Sequence, residues 1–112
     1  MKSIPLVIAF TVLGFGASVC GAADVGENWT EYCKRCHGAD GAAKTKLGRK
    51  LKLRDYRDAA VQADMSDQEI IDVIIEGVTT KRGKEAMPDY AEKLTQEEIE
   101  AFIPYIRALE TP

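Results

Sequence analysis

Two cysteines and a histidine within five residues are the part of this chain with the clearest chemistry. The segment Cys33-Lys34-Arg35-Cys36-His37 has the Cys-x-x-Cys-His spacing of covalent haem attachment. On a helical turn both sulfurs lie on one face and can form thioethers with the two vinyl groups of one porphyrin, while His37 binds the iron as proximal ligand. The pattern therefore predicts one covalently bound haem c, held through Cys33 and Cys36 and ligated by His37.

Two other sites use closely spaced cysteines. Half of a zinc site would need a second pair of ligands, but the chain has no other histidine and Cys20 is its only spare cysteine. A thioredoxin-like redox pair would need a strand, a turn and a helix around the motif, and no Val/Ile-rich strand precedes Cys33. Haem attachment is therefore the favoured interpretation.

The sixth ligand of the iron separates an electron carrier from a sensor or catalyst. Pro88 holds the chain extended directly after Met87, so the Met87 thioether can point at a metal instead of packing within a helix. A thioether is a neutral, soft donor that raises the reduction potential of haem. Met65 immediately precedes a helix cap at Ser66 and is interpreted as core filler. The residues favour Met87, with Met65, Lys84 or an open sixth position as alternatives.

The haem segment ends a predicted N-terminal helix. Val25, Trp29, Cys33 and Cys36 recur at helical spacing and share one face. Residues 42–57 contain few large apolar side chains, and we predict an irregular loop that wraps one edge of the haem.

Two further helices are indicated by capping boxes. Ser66 and Glu69 begin one helix, which contains a run of isoleucine and valine, and Thr95 and Glu98 begin another. Pro104 lies inside the last helix and is expected to bend it. No segment alternates like a strand, so the sequence predicts an all-α fold of three main helices and loops wrapped around one haem.

The N-terminal residues have the pattern of a secretion signal. Lys2 precedes a charge-free apolar stretch from Ile4 to Val19, and small residues then lead to a predicted cleavage before Asp24. An uncleaved anchor and a lipoprotein cut before Cys20 are weaker alternatives. We therefore expect a signal peptide at residues 1–23, one domain at residues 24–112, and a periplasmic mature protein that is not inserted in the membrane.

The chain resembles the class I c-type cytochromes over essentially all of residues 24–112. The residues that carry the resemblance are Cys33, Cys36, His37 and Gly38, a middle helix ending at Gly77, Met87-Pro88 with Tyr90, and a last helix from Leu94-Thr95 to Leu109. The resemblance implies that the first and last helices cross near Val25 or Gly26 and the Phe102/Tyr105 region. It also implies that Met87 completes the coordination of the iron. Many members have a proline carbonyl that accepts the free ring N–H of the histidine, and the loop after this motif has no proline.

Charge is distributed unevenly along the chain. Residues 24–112 have a net charge of −4, whereas residues 44–57 contain seven Lys or Arg and one Asp. If the basic loop from Lys44 to Arg57 flanks the haem edge, it would steer that edge towards acidic redox partners. The alternative is a loop whose charges only keep it solvated. The net acidity argues against nucleic acid as a partner.

These observations favour a monomeric, non-enzymatic electron carrier that passes single electrons between redox proteins. One alternative is a haem subunit tethered to a larger oxidoreductase by an uncleaved anchor. The other is a gas sensor or peroxidase-like enzyme with an open sixth site, although no second histidine supports catalysis.

Overall fold

The computed structural model describes residue 3 and residues 24–112, so almost all of the expected signal peptide, with Cys20, lies outside the described residues. The elements are α1 (Val25–Asn28), a π-helical segment (Trp29–Cys33), α2 (Lys34–His37), α3 (Lys46–Leu51), α4 (Ala59–Asp64), α5 (Asp67–Glu76), β1 (Val78–Thr79), β2 (Glu85–Met87) and α6 (Gln96–Arg107). The prediction of a mainly helical fold is confirmed, and a small antiparallel sheet that was not predicted is added to it. No helix in the described part of the chain has the length and apolarity needed to cross a bilayer.

The N-terminal helical region changes its winding just before the haem motif. The Asp24 side chain accepts from the backbone N–H of Gly26 at 2.7 Å and caps the first turn. The backbone N–H of Lys34 then bonds to the carbonyl of Trp29, five residues back, as in a π-helix. The wider turn delivers Cys33 to the start of α2, which carries Cys36 and His37.

The two predicted capping boxes are both present. Ser66 and Glu69 bond to each other's backbone N–H at the start of α5, and Thr95 and Glu98 do so at the start of α6. The last helix continues through the exposed Pro104 to Arg107.

Packing of the first helix on the last forms the main core. The Trp29 ring, only 2 % exposed, lies 6.5 Å from Phe102 and 5.2 Å from Tyr105 between ring centroids. The Asn28 side-chain amide donates to Glu98 at 2.8 Å across the same crossing. Full burial of such apolar side chains stabilises the fold by about 1.5–3 kcal/mol each. Other buried residues of this core are Ile70, Ile74, Tyr90, Leu94, Ile99 and Ile106.

The prediction of an irregular loop over residues 42–57 is wrong in its centre. Thr45 caps α3 by accepting from the backbone N–H of Gly48 at 2.8 Å. Leu47 and Leu51 lie one turn apart on this helix, and both are half-buried. A second short helix, α4, follows and was not predicted. The chain therefore crosses this face of the molecule on two short helices instead of a loop.

A polar clamp ties the segment after α3 to the last helix. The buried Gln62 side-chain amide donates to the carbonyls of Tyr56 at 2.7 Å and Ile106 at 2.8 Å. Arg107 donates in turn to the carbonyls of Gln62 at 2.7 Å and Met65 at 2.6 Å. These bonds hold Tyr56 and Met65 in place beside a large cavity.

Candidate haem-binding site

The helices and the small sheet enclose a cavity of about 450 Å³. This volume lies in the range of about 300–1,000 Å³ that is usual for sites of small molecules and cofactors. Its lining residues are Tyr32, Cys33, Cys36, His37, Leu51, Lys52, Leu53, Arg54, Tyr56, Met65, Glu69, Ile70, Val73, Val78, Ala86, Met87, Pro88 and Tyr90. Most of these side chains are apolar or aromatic, as a porphyrin requires. All four residues expected to bind haem, Cys33, Cys36, His37 and Met87, are among them.

The Cys-x-x-Cys-His motif forms one wall. Cys36 and His37 lie on α2, which ends at Gly38, and Cys33 directly precedes that helix. The carbonyl of Cys36 accepts from the Thr45 hydroxyl at 2.6 Å, and that of His37 accepts from the backbone N–H of Ala43 at 2.8 Å. The end of α2 is thereby bonded to the residues that lead into α3, which fixes where the motif faces.

Burial keeps both kinds of haem-binding side chain neutral. Loss of solvent, with a smaller contribution from nearby Cys36, raises the pKa of the Cys33 thiol to about 12. Loss of solvent lowers the pKa of His37 to about 4. At pH 7 the imidazole is therefore uncharged, which is the form that binds a metal.

The second ring nitrogen of His37 has no hydrogen-bond partner in the part of the chain that the structure describes. Among the described residues, Nδ1 of His37 is the single buried side-chain nitrogen or oxygen that makes no hydrogen bond. Many family members have a proline carbonyl that accepts this ring N–H. No carbonyl of the described residues takes that place here. The ring instead contacts two aromatic residues, Tyr56 at 5.1 Å and Trp29 at 5.8 Å between ring centroids.

Met87 lies far from the Cys-x-x-Cys-His motif in the sequence, but it lines the same cavity. It is the last residue of β2 and pairs with Val78 of β1, so a short strand that the sequence did not predict holds it. Gly77 precedes β1 with φ +71°, and a Cβ built there would lie 2.5 Å from the Met87 carbonyl oxygen. The two segments can approach this closely because residue 77 has no side chain.

Tyr90 fastens the Met87 segment on its other side. Its backbone N–H donates to the carbonyl of Ile74 on α5 at 2.9 Å. Its hydroxyl donates to the carbonyl of Tyr32, next to Cys33, at 3.1 Å. The chain around Met87 is therefore bonded both to α5 and to the helix that bears the motif.

A smaller cavity of about 40 Å³ brings His37 and Met87 together. Both residues line it, with Cys33, Trp29 and Tyr56, whereas Met65 lines the larger cavity but not this one. A neutral imidazole and a thioether in one apolar space, with Cys33 beside them and Cys36 on the wall of the larger cavity, are a donor set that fits a covalently held haem. The residues present therefore agree with the predicted cofactor.

Sequence reasoning missed several residues of this site. Tyr56 falls within the predicted loop of residues 42–57, where no role was given to it. In the structure it lines both cavities and stacks on His37. Lys52 and Arg54 bring positive charge to the rim of the larger cavity. The cap at Thr45 was the available signal for α3, which leads to this wall.

Comparison with known proteins agrees with the geometry. A protein-family profile described as cytochrome C oxidase, cbb3-type, subunit III, matches residues 21–106. The solved structure titled KustC0563 c-type cytochrome has 39% sequence identity and a TM-score of 0.68, with 80% of this chain and 100% of that chain covered. A tyrosine-to-phenylalanine variant of Kustc0563 has 40% identity and a TM-score of 0.65, with 79% and 100% covered. A search of curated proteins finds no significant match. The chain therefore belongs to the family of that subunit III profile, and it is a small c-type cytochrome with covalently attached haem.

Proposed function

We propose that this protein is an extracytoplasmic carrier of single electrons whose haem iron is ligated by His37 and Met87. Members of the c-type cytochrome family generally carry electrons and are typically extracytoplasmic. The observation that carries the finer proposal is that His37 and Met87 line one small apolar cavity beside Cys33. When bound, haem supplies an iron that alternates between Fe(II) and Fe(III).

The residues around the site keep both ligands in place and exclude water. Cys33 and Cys36 would hold the porphyrin as thioethers, and the bonds to Thr45 and Ala43 keep their helix from moving. Two fixed ligands allow the same coordination in both oxidation states, so little rearrangement accompanies electron transfer. The buried side chains Trp29, Ile74, Leu94 and Phe102 form the apolar surroundings that limit reorganisation of solvent.

Met87 is a better candidate for the sixth ligand than Met65. Met65 lines the larger cavity and packs against the core cluster, which agrees with a filling role. Met87 shares the small cavity with His37 and is held by pairing with Val78.

Carbon monoxide binding tests this ligation. The spectrum of the dithionite-reduced native protein is expected to stay unchanged under carbon monoxide, because the sixth position is closed. Met87→Ala should open that position and bind the gas, whereas Met65→Ala, the matched methionine variant, should remain closed. Ready binding by the native protein would contradict Met87 ligation and favour the sensor or enzyme alternative.

The positive rim supports docking of an acidic redox partner. Lys52 and Arg54 line the large cavity, and Arg54 pairs with Asp64 at 2.9 Å. Within the described residues, no carboxylate lies within 4.0 Å of Lys44, Lys46, Arg49, Lys50 or Lys52. We therefore propose that the basic loop, Lys44 to Arg57, faces acidic protein partners at the haem edge.

An anionic oxidant can probe this surface. The bimolecular rate of oxidation by ferricyanide should fall in Lys52→Glu, because Lys52 lines the large cavity, and its dependence on ionic strength should become weaker. Lys93→Glu makes the same change in net charge but lies outside the lining of the large cavity, so a smaller effect is expected. Equal effects of the two variants would show that only net charge matters and would refute docking through the basic loop.

We also propose that a signal peptide is removed before Asp24 and that the mature protein is a periplasmic monomer. Intact-mass measurement of the secreted holoprotein tests both the cleavage and the covalent attachment of one haem. A mass that retains residues 1–23 would favour a tethered subunit instead.

A further inference from the structure

The orientation of the His37 ring is not set by a hydrogen bond from Nδ1 to any of the described residues. A metal-binding histidine almost always donates its other ring N–H to a carbonyl, a carboxylate or water, and this bond sets the plane of the ring. Here Nδ1 is buried and has no partner among the described residues. Packing is therefore what remains to restrict rotation of the imidazole.

Tyr56 is the residue best placed to restrict it. Its ring is stacked on the imidazole, with 19° between the planes and 5.1 Å between the centroids. Trp29 also contacts the imidazole, at 5.8 Å, but its plane is tilted by 41°. Near-parallel rings in contact resist rotation, because turning one ring drives its edge into the face of the other.

The backbone of Tyr56 is itself held from two sides. Its N–H donates to the carbonyl of Gly41 at 2.9 Å, and its carbonyl accepts from the Gln62 side chain at 2.7 Å. Gln62 also donates to the carbonyl of Ile106 on α6, so the tyrosine is connected to that helix. These bonds fix the backbone from which the stacked ring projects.

We propose that Tyr56 is the positioning residue of the proximal histidine, and that its ring replaces the missing hydrogen bond in setting the plane of His37. The inference rests on the proposed ligation of haem by His37. The plane of an axial imidazole determines how unpaired electron density is spread over the porphyrin, so it can be measured directly.

Proton NMR of the ferric cyanide adduct gives that readout. Cyanide replaces the sixth ligand and is cylindrically symmetric, so the spread of the four haem methyl shifts reports the histidine plane alone. Tyr56→Leu, which removes the stacked ring, is expected to change this spread and the order of the methyl signals. Tyr56→Phe keeps the ring and should retain the native pattern.

Tyr105→Leu is the matched control. Tyr105 is also half-buried and packs on Trp29 at 5.2 Å, but it makes no ring contact with His37. If Tyr56 only stabilises the fold, Tyr56→Leu and Tyr105→Leu should both lower the urea midpoint and both keep the native methyl pattern. That result would overturn the proposal, as would loss of the pattern in Tyr56→Phe.

A measurement on the native protein covers the case in which Tyr56→Leu does not fold. In the diamagnetic ferrous protein, cross-relaxation between ring protons of Tyr56 and His37 is expected, and its absence would refute the stacking. Failure of the proposed function is seen separately, because a native ferric protein without an iron–methionine absorption band would contradict Met87 ligation whatever the state of Tyr56.

Discussion

Replacement of Gly77 by alanine tests how the sixth ligand is held. Gly77 ends α5 with φ +71° and ψ −174°, a backbone conformation that is essentially restricted to glycine. A Cβ at this position would lie 2.5 Å from the carbonyl oxygen of Met87 and 2.9 Å from the backbone nitrogen of Asp89. Both neighbours are backbone atoms, so neither can avoid the contact by changing a rotamer.

The expected cost has two parts. The strained backbone conformation of alanine costs about 1–3 kcal/mol. Moving the Met87 carbonyl by about 0.9 Å, to the 3.4 Å of ordinary contact, disturbs the pairing of Met87 with Val78 and adds about 1–3 kcal/mol, as overpacking usually does. We therefore expect Gly77→Ala to lower the free energy of unfolding by about 2–6 kcal/mol and to weaken the bond between iron and Met87.

Urea denaturation of the ferric holoprotein measures the loss of stability. The far-red iron–methionine absorption band of the same protein measures the weakening of the bond between iron and Met87. With an m-value of about 1.5 kcal/mol/M, the midpoint should fall by about 1–4 M. Gly83→Ala is the matched control, because Gly83 also has a positive φ, +77°, but nothing lies within 4 Å of the added Cβ. It should cost only about 1–2 kcal/mol and leave the band unchanged.

Equal midpoint shifts in the two variants would refute the steric argument. So would a Gly77→Ala protein that keeps both native stability and the native far-red band.

Two further predictions concern the clamp and the basic loop. Gln62→Leu should lower the free energy of unfolding by about 2–3 kcal/mol, because the backbone carbonyls bonded to the Gln62 amide lose their donor. Gln68→Leu, on the exposed face of α5, should change it by about 0.5 kcal/mol or less. Similar urea midpoints for these two variants would contradict the clamp. The Arg57 guanidinium, hydrogen-bonded to Asp55 at 2.8 Å, lowers the pKa of that carboxyl from 3.8 to about 2. Because the folded value is the lower one, the stabilisation is complete above pH 3.8 and is lost as the pH falls through about 2. Carbon-13 NMR titration of Arg57→Ala should move the Asp55 midpoint back up towards 3.8, and an unchanged midpoint would disprove the pairing.

Features that depend on neighbours in the sequence could be predicted. The capping boxes at Ser66 and Thr95 join residues three apart, so the starts of α5 and α6 follow from the sequence and are confirmed. The fold class and the covalent haem follow from helical periodicity and from the Cys-x-x-Cys-His spacing, and both are confirmed. The assignment of Met87 as an iron ligand stays a prediction.

Features that depend on residues far apart in the sequence could not be predicted. The strands β1 and β2 are only two and three residues long and show no alternating pattern, so no periodicity marks them. Their pairing is decided by the close approach of Gly77 to the Met87 segment. The short helix α3 was missed because few large apolar residues occur in its segment and its stability comes from bonds to the end of α2.

The sequence alone determined the chemistry of attachment, since two cysteines and a histidine must lie close in the chain to hold one haem on one helical turn. It also determined the positive charge of residues 44–57. Only the tertiary structure decided that Tyr56 stacks on His37 and that, among residues 24–112, no group bonds to the second ring nitrogen of His37. Those relations join residues whose separation along the chain carries no periodic signal, and they arise because the packing of short helices leaves one arrangement of rings around the cavity.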